Sequence, residues 1–235
     1  MTTTGGGLLA GFTVANFSST SVGAHVAQLF ADFGAEVFWV EPPGGSPLRR
    51  EPAWPFWARG AKSVELDLRD ATDNAAASAL AARADVLIET SRPGVMERLG
   101  LGYDELAAVN PRLVYTSVTG FGRTGPLSHL KGYEGIVMAK LGGYSQFAAT
   151  VDRDGPAFAS VPYGSATAAL VALQGTLVAL LEREHSGAGQ HVDTSLVQAF
   201  NAHDVFFWIM THVMQQMMAA MSAPPPVPAP EPEPE

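Results

Sequence analysis

A serine stands where a strand-like segment gives way to a long apolar helix, in the stretch VPYGSATAALVALQ. Ser165 has two uses in this position: as a hydroxyl nucleophile, or as a cap that accepts a backbone N–H at the start of the helix. The local order Y-G-S-A-T lacks the GxSxG frame of a nucleophile elbow, and no base is evident to activate the hydroxyl. The residues by themselves therefore favour capping.

Three charged side chains lie at the ends of other predicted helices and strands and are further candidates for the site. Glu134, beside Tyr133 in KGYEG, is a candidate general acid/base or substrate-orienting group; the alternative is a solvated acid in the first turn of a helix. Arg92 and Arg98 flank a loop after a strand, where guanidinium groups hold phosphates through charge-assisted hydrogen bonds. Their alternative is a solvated surface position.

Metal and nicotinamide sites are not expected. The six histidines are His25, His129, His185, His191, His203 and His212. None of them forms an HExxH pair, the chain has no cysteine, and His191 with Asp193 on a short strand is more typical of structural polar residues. The sequence TGFGRTG follows a strand but lacks the GxGxxG spacing of a dinucleotide site.

Composition narrows the class of protein. The 235 residues are 47% hydrophobic and 16% charged, which is typical of a globular chain, and the net charge of −9 argues against nucleic-acid binding. The N-terminus lacks the basic start of a secretory signal, so we expect a cytoplasmic protein. The uncharged run 161–181 has the length of a membrane span, but its polar residues favour a buried helix, and we expect no membrane partner.

The hydrophobic pattern alternates strands with helices, which predicts an α/β fold with a parallel sheet. Predicted strands cover 12–17, 35–41, 62–68, 84–90 and 112–122, with a further short strand in SGAGQHVDTS. Predicted helices cover 23–33, 70–84 with Asp70 as a cap or first-turn acid, a short helix with Pro93 as its first residue, 102–111, 165–184 and 195–221. Ligands of such sheets bind beyond the carboxyl ends of the strands, here the loops 41–45, 90–94 and 119–125.

Four stretches together resemble one family: FADFGAEVFWVEPPGGSP, KSVELDLRD, ADVLIETSRPGVMERLGLGYDELAAVNPRLVYTSVTGFGRTGP and REHSGAGQHVDTSL. They are similar to the family III CoA-transferases, which include formyl-CoA transferase, carnitine CoA-transferases and the divergent α-methylacyl-CoA racemase. The resemblance implies a Rossmann-like large domain that binds CoA, followed by long helices, and an interlocked homodimer. It implies coenzyme A or acyl-CoA as a substrate, with no tightly bound cofactor.

The resemblance also implies which residues contact CoA. The matching positions are Ser21, Val22, Leu66, Thr90, Ser91, Arg92 and Arg98. Thr90 and Ser91 replace Asn and Phe of the family's ENFRPG, so packing against CoA loses an aromatic ring. Arg98 and Leu66 match an arginine on CoA and a leucine near the adenine. Ser21 and Val22 hold the places of a Gln-Ala pair near the thiol end.

The family's nucleophile is an aspartate in a stretch like V-P-x-A/G-D, and Ser165 holds that place here. In the transferases this carboxylate attacks the acyl-CoA thioester, forms a mixed anhydride and then an aspartyl-CoA thioester, from which CoA passes to an acceptor acid. A serine cannot form the same anhydride, so the resemblance implies that Ser165 is inert. Tyr133 and Glu134 match a Tyr-Glu pair that lines the active site.

The resemblance divides the chain into a flexible N-terminus at 1–10, a CoA-transferase region at 11–222 that is incomplete relative to the family, and a disordered Pro/Glu-rich tail at 223–235.

Three functions stay open. The chain is a CoA-transferase subunit acting on an acyl-CoA and a carboxylic acid, or a silent CoA-binding scaffold paired with a family III subunit that carries the aspartate. The third is a racemase-like isomerase, which needs an acid/base pair of which only Glu134 is evident.

Overall fold

The computed structural model describes residues 7–158, 161–203 and 205–222. By its contacts the chain divides into two compact units, 1–200 and 201–235. The first unit contains the sheet and the helices that cover it. The helix Val205–Ser222 lies in the second unit.

Six strands form one sheet in the order β3-β2-β1-β4-β5-β6, and every neighbouring pair is parallel. The strands are β1 Thr13–Asn16, β2 Glu36–Glu41, β3 Ala61–Glu65, β4 Val86–Glu89, β5 Val114–Thr119 and β6 His191–Ser195. All residues of β4 and β5 are buried, as expected for strands covered on both faces. The prediction of an α/β fold with a Rossmann-like parallel sheet is confirmed.

Helices connect the strands and continue after the sheet. They are α1 Ser21–Asp32, α2 Trp54–Trp57, α3 Ala71–Ala81, α4 Val95–Arg98, α5 Tyr103–Val109, α6 Glu134–Lys140, α7 Tyr163–Ser186, α8 Leu196–His203 and α9 Val205–Ser222, with 3-10 turns at Pro47–Arg50 and Gly143–Thr150. The carboxylate of Asp70 accepts the N–H groups of Thr72 and Asp73, so its predicted role as the cap of α3 is confirmed.

Two apolar clusters hold the layers together. On one face of the sheet, Phe30 of α1 and Leu173 of α7 pack against strand residues such as Ile88. On the other face, Leu106 of α5 packs with Tyr115 of β5. Full burial of each such side chain contributes about 1.5–3 kcal/mol, so the layers are fixed mainly by these faces.

The helix α7 is long and apolar enough to cross a membrane, and half of its most apolar window is buried inside the protein. Within the fold it packs on α1, β5 and β6. The hydroxyls of Thr176 in α7 and Thr116 in β5 lie 2.7 Å apart across that contact. This burial supports the interpretation of the segment as a core helix.

Some sequence-based boundaries differ from the structure or fall outside it. The prediction that Pro93 is the first residue of a helix is wrong: α4 begins at Val95 after Gly94, whose φ of +81° ends the preceding turn. The predicted helix 195–221 corresponds to α8 and α9, and Asp204 between them lies outside the described residues. Residues 1–6 and 223–235 also lie outside them, so the flexible N-terminus and the disordered tail stay predictions, although the Leu9 N–H donates to the Phe33 carbonyl.

Candidate functional site

The sheet reverses its direction of winding between β1 and β4, and parallel sheets bind ligands in the crevice at such a point. A cavity of 280 Å³ opens there. It is lined by Ser19, Thr20, Val22, Thr90, Ser91, Arg92, Pro93, Val95, Val118, Thr119, Gly120, Ser128, Leu130, Lys131, Gly132, Tyr133 and Leu196. We call it the switch-point cavity.

A second cavity of 570 Å³ adjoins it beyond β1 and β2. Its lining includes Leu66, Arg69 and Arg98, and it shares Ser19 and Val95 with the switch-point cavity. We call it the β2-side cavity. Because Ser19 and Val95 line both, the two cavities lie side by side, and we refer to the pair as the crevice. Together they suit a long ligand better than a compact one.

The residues predicted to contact CoA sort between these cavities. Val22, Thr90, Ser91 and Arg92 line the switch-point cavity, whereas Leu66 and Arg98 line the β2-side cavity. Ser21, the first residue of α1, lines neither of the two.

Buried polar atoms with no hydrogen-bond partner in the described chain gather where β1 and β4 end. They are Asn16 Nδ2, Ser18 Oγ, Thr20 Oγ1 and Thr90 Oγ1. Thr20 is also the N-cap of α1, yet its side chain makes no capping bond, so the first N–H groups of a 12-residue helix remain available. Buried hydroxyls and a helix N-terminus together suit a ligand carrying carbonyl or anionic oxygens.

A close approach of α1 to the ends of these strands sets the position of the hydroxyls. A Cβ added at Gly23 would lie 2.2 Å from Ser18 Cβ and 3.0 Å from Thr90 Cγ2. Only a residue without a side chain leaves room for the loop after β1 to fold back against the helix.

The switch-point cavity has a cationic lining in an acidic protein. Arg92 and Lys131 line it, and none of its lining residues, as described, is acidic. The chain as a whole carries a net charge of −9. Lys131 was not among the predicted site residues, because a lone lysine in a loop carries no sequence signal of a cavity wall.

Glu134 closes the N-terminus of α7. Its Oε1 accepts the Gly164 N–H at 2.8 Å, and its Oε2 accepts the Ser165 N–H at 2.6 Å and the Ser165 hydroxyl at 2.7 Å. The prediction that Ser165 caps its helix is therefore wrong: Pro162 is the N-cap, and the capping oxygens come from Glu134. The expectation that no base adjoins Ser165 is also wrong.

Two glycines place Glu134 and Tyr133 next to the sheet. A Cβ at Gly120, just after β5, would lie 2.3 Å from the Cα of Gly132, so the two backbones touch. Tyr133 follows this contact, is 59% exposed and lines the switch-point cavity. The Tyr133–Glu134 peptide thus joins the cavity to the start of α7, while Ser165 itself is only 7% exposed.

A buried acid lies behind the cavity. Glu89, the last residue of β4, is 2% exposed, and its Oε2 accepts the Ser91 N–H at 2.6 Å. Burial raises the pKa of Glu89 to about 7, although hydrogen bonds from Ser117 and from the Ser91 N–H act in the opposite direction. The sequence does not indicate that Glu89 is buried, because acidic side chains are mostly exposed in proteins.

His191, on the edge strand β6, lies next to the polar residues around Glu89. Its Nε2 lies 2.9 Å from Ser117 Oγ, and its ring stacks on Tyr103. Burial lowers the pKa of His191, and the nearby Arg123 lowers it further. His191 was interpreted as a structural polar residue, and the structure also places it next to Ser117, the register neighbour of the buried Glu89.

The chain is similar to known proteins over most of its length. The model of CoA-transferase family III matches residues 9–230. The succinyl-CoA–D-citramalate CoA-transferase of Chloroflexus aurantiacus is 40% identical over 75% of this chain and 46% of its own. The succinyl-CoA–L-malate CoA-transferase alpha subunit of Chloroflexus aurantiacus is 36% identical over 81% of this chain and 47% of its own.

A solved structure shares the fold. A hypothetical protein from Mycobacterium tuberculosis superposes with a TM-score of 0.82 at 33% identity, over 89% of this chain and 60% of its own. The chain spans about half the length of the curated relatives it matches.

Proposed function

Because this chain belongs to CoA-transferase family III, we propose that it binds an acyl-CoA along the elongated crevice formed by the two cavities. The observation that carries the proposal is the set of unpartnered buried hydroxyls at the N-terminus of α1, at a switch-point cavity whose described charged lining residues, Arg92 and Lys131, are cationic. Buried polar atoms are nearly always hydrogen-bonded in proteins, so atoms left without partners suit a ligand.

The chemistry of the walls gives the ligand a direction. Leu66 and Arg98 in the β2-side cavity suit the nucleotide end, which carries an apolar ring face and phosphates. Thr20 and Thr90 in the switch-point cavity suit the thioester end, whose carbonyl oxygen would accept hydroxyl and helix N–H donors.

The family resemblance places the nucleophilic carboxylate at the start of α7, and such a carboxylate must be free to attack a thioester. Glu134 is there, but its two oxygens already accept three hydrogen bonds from the start of α7, so the carboxylate is not free to approach a thioester. Ser165 is buried, and its hydroxyl donates a hydrogen bond to Glu134 Oε2. We therefore propose that Ser165 is silent and that the chain transfers CoA only with a second subunit that supplies an aspartate.

Two observations support a partner. One relative is named as the alpha subunit of a CoA-transferase, so subunits of more than one kind occur among similar proteins. In addition, α7 exposes Leu170, Val178 and Leu181 at 42%, 66% and 64%, and helical spacing places these three side chains on one side.

The binding proposal is tested by calorimetric titration of CoA into the full chain. Arg98→Ala removes a cation from the β2-side cavity, and we expect it to weaken CoA binding about tenfold. Arg83→Ala is the matched control: it removes an exposed arginine that borders another cavity, at the opposite end of the sheet, near Thr13 and Glu36. Loss of affinity in Arg98→Ala but not in Arg83→Ala supports the crevice; equal affinity in all three proteins, or no binding by the folded chain, contradicts it.

The silent-serine proposal is tested by Ser165→Asp in a complex with a family III subunit. The change adds the carboxylate that the family resemblance places at this position, and we expect it to raise succinyl-CoA transfer. If the chain with Ser165 already transfers CoA from succinyl-CoA and Ser165→Ala abolishes this activity, the serine is catalytic and the proposal is contradicted.

One contact favours a second candidate, an enzyme active through Ser165 itself. The 2.7 Å bond to Glu134 Oε2 provides a proton acceptor if the hydroxyl oxygen attacks the thioester carbon. The C–S bond would break, CoA would leave with a proton, and an acyl-serine ester would remain, to be cleaved by water. Hydrolysis of succinyl-CoA lost in Ser165→Ala would support this candidate. An isomerase of the racemase type lacks such support, since the Glu134 carboxylate is engaged by Ser165 and the Gly164 N–H.

A further inference from the structure

Glu89 is a buried acid that neither the binding crevice nor the start of α7 uses. We propose that Glu89 positions the Thr90–Gly94 loop for CoA, and that proton uptake by Glu89 loosens this loop and weakens CoA binding. The inference rests on the proposed function, because it assigns a regulating group to the same crevice. Glu89 touches no reacting atom and is a positioning residue.

The contact that carries the proposal links the end of a strand to the wall of the cavity. The Glu89 carboxylate accepts the Ser91 N–H at 2.6 Å, which turns the chain immediately after β4. Thr90, Ser91 and Arg92, the next three residues, all line the switch-point cavity. A hydrogen bond to an ionised carboxylate is shorter and roughly twice as strong as a neutral one, so this turn is held most firmly when Glu89 is charged.

Polar side chains continue from Glu89 toward the edge strand β6. Ser117 is the register partner of Glu89 across β4 and β5, and its hydroxyl lowers the pKa of the Glu89 carboxyl. The Ser117 Oγ in turn lies 2.9 Å from His191 Nε2. A hydroxyl can donate to an ionised carboxylate and accept from a protonated one, so Ser117 can serve both states of Glu89.

Charged groups from β6, α4, α5 and the loop after β5 surround Glu89. Arg123, in the loop after β5, lowers the pKa of Glu89, while Glu97 on α4 raises it and is itself paired with Arg123. From β6, Asp193 lies near Arg123, and burial lowers the pKa of His191. On α5, Asp104 acts on His191 and Glu105 on Tyr115.

The direction of the effect follows from linkage. The Ser91 N–H bond lowers the pKa of Glu89, so loss of the proton must strengthen that bond by the same free energy. A ligand that needs the loop in this shape therefore binds more tightly when Glu89 is ionised. Binding of CoA will in turn favour release of the proton.

The test is titration of CoA into the full chain one pH unit below and one pH unit above the Glu89 pKa. We expect affinity to be about fivefold higher at the upper pH. Glu89→Gln keeps the shape and an oxygen for the Ser91 N–H but cannot ionise, so it should lose this difference and retain only the part due to titration of CoA itself. Glu105→Gln, which removes an exposed carboxylate from α5 on the same side of the sheet, should behave as the unchanged protein.

The outcomes separate this inference from the proposed function. Equal pH ratios in the unchanged protein and in Glu89→Gln overturn the inference even if CoA binds. If CoA does not bind at either pH, the proposed function fails, and hydrogen exchange of the Ser91 amide decides the positioning role alone. Protection that rises with pH in the unchanged protein, after correction for intrinsic exchange, but not in Glu89→Gln supports it; equal protection in both overturns it.

Discussion

At the ends of β1 and β4, four buried polar atoms have no partner in the described chain, whereas at the start of α7 one carboxylate takes three donors. The first region has a helix N-terminus, hydroxyls and cavities that remain open. The second has a helix N-terminus of the same kind, closed by Glu134. The contrast supports the proposal of a chain that binds CoA without catalysing transfer itself: the polar groups that suit a ligand have no partner in the described chain, and those beside residue 165 bond to one another.

Removing the carboxylate that closes α7 should have the largest effect. Glu134→Ala leaves the Gly164 N–H, the Ser165 N–H and the Ser165 hydroxyl without their acceptor, and we expect a loss of about 3 kcal/mol in the free energy of unfolding. Denaturant titration measures it. Glu134→Gln keeps an acceptor and should lose less than half as much. If Glu134→Ala lost less stability than Glu134→Gln, water would be replacing the carboxylate, and the start of α7 would be open to solvent.

The buried acid behind the crevice should give stability a pH dependence. Burial raises the pKa of Glu89 to about 7 from the usual value of 4.5, so between these values the folded chain holds a proton that the unfolded chain does not. Stability from this group is complete below the unfolded pKa and falls as pH rises to the folded one, by about 3 kcal/mol in total. Glu89→Gln should remove this fall. Parallel stability curves for both proteins between pH 5 and 7 would show that Glu89 is not the group.

A side chain added at Gly23 should distort the ends of β1 and β4 and leave the start of α7 unchanged. Gly23→Ala places a methyl group 2.2 Å from Ser18 Cβ, and we expect a loss of about 2 kcal/mol in stability together with weaker CoA binding. Thermal unfolding and calorimetry measure the two effects. Gly175→Ala, a glycine inside α7 where a Cβ meets only Val192 Cγ1 at 2.9 Å, is the control: it should leave CoA affinity unchanged. Equal losses of affinity in both variants would point to a general loss of folding.

Removing the hydroxyl at the start of α7 should have the smallest effect. Ser165→Ala deletes one of the three donors to Glu134, and we expect about 1 kcal/mol of lost stability with no change in CoA affinity. A drop in CoA affinity comparable to that of Arg98→Ala would place Ser165 in the binding site and weaken the contrast between the two regions.

The sheet was predictable because its signals are local. Apolar runs such as ADVLIE, each followed by a helix, predict buried parallel strands whatever the rest of the chain does. The Asp70 cap was equally local, since its acceptor and donors lie within three residues. The order of the strands, and with it the place of the crevice, depends on contacts that no single segment contains.

The candidate site was less predictable because its contacts are distant in sequence. Ser165 looked like a cap, but its helix is capped by Glu134, which lies 31 residues earlier. Glu89 looked like the polar end of a strand, and its burial depends on packing of the neighbouring strands and helices. Lys131 gave no signal because the touching glycines 120 and 132 alone bring its loop to the cavity.

Native mass spectrometry of the full chain with succinyl-CoA tests the contrast between the two regions most directly, because it detects binding and covalent chemistry together. We predict a non-covalent complex with one succinyl-CoA that disappears on denaturation and leaves the mass of the unmodified chain. A succinyl group or CoA that remains on the denatured chain would contradict the silence of Ser165 and Glu134. Absence of the complex under native conditions would contradict the open crevice.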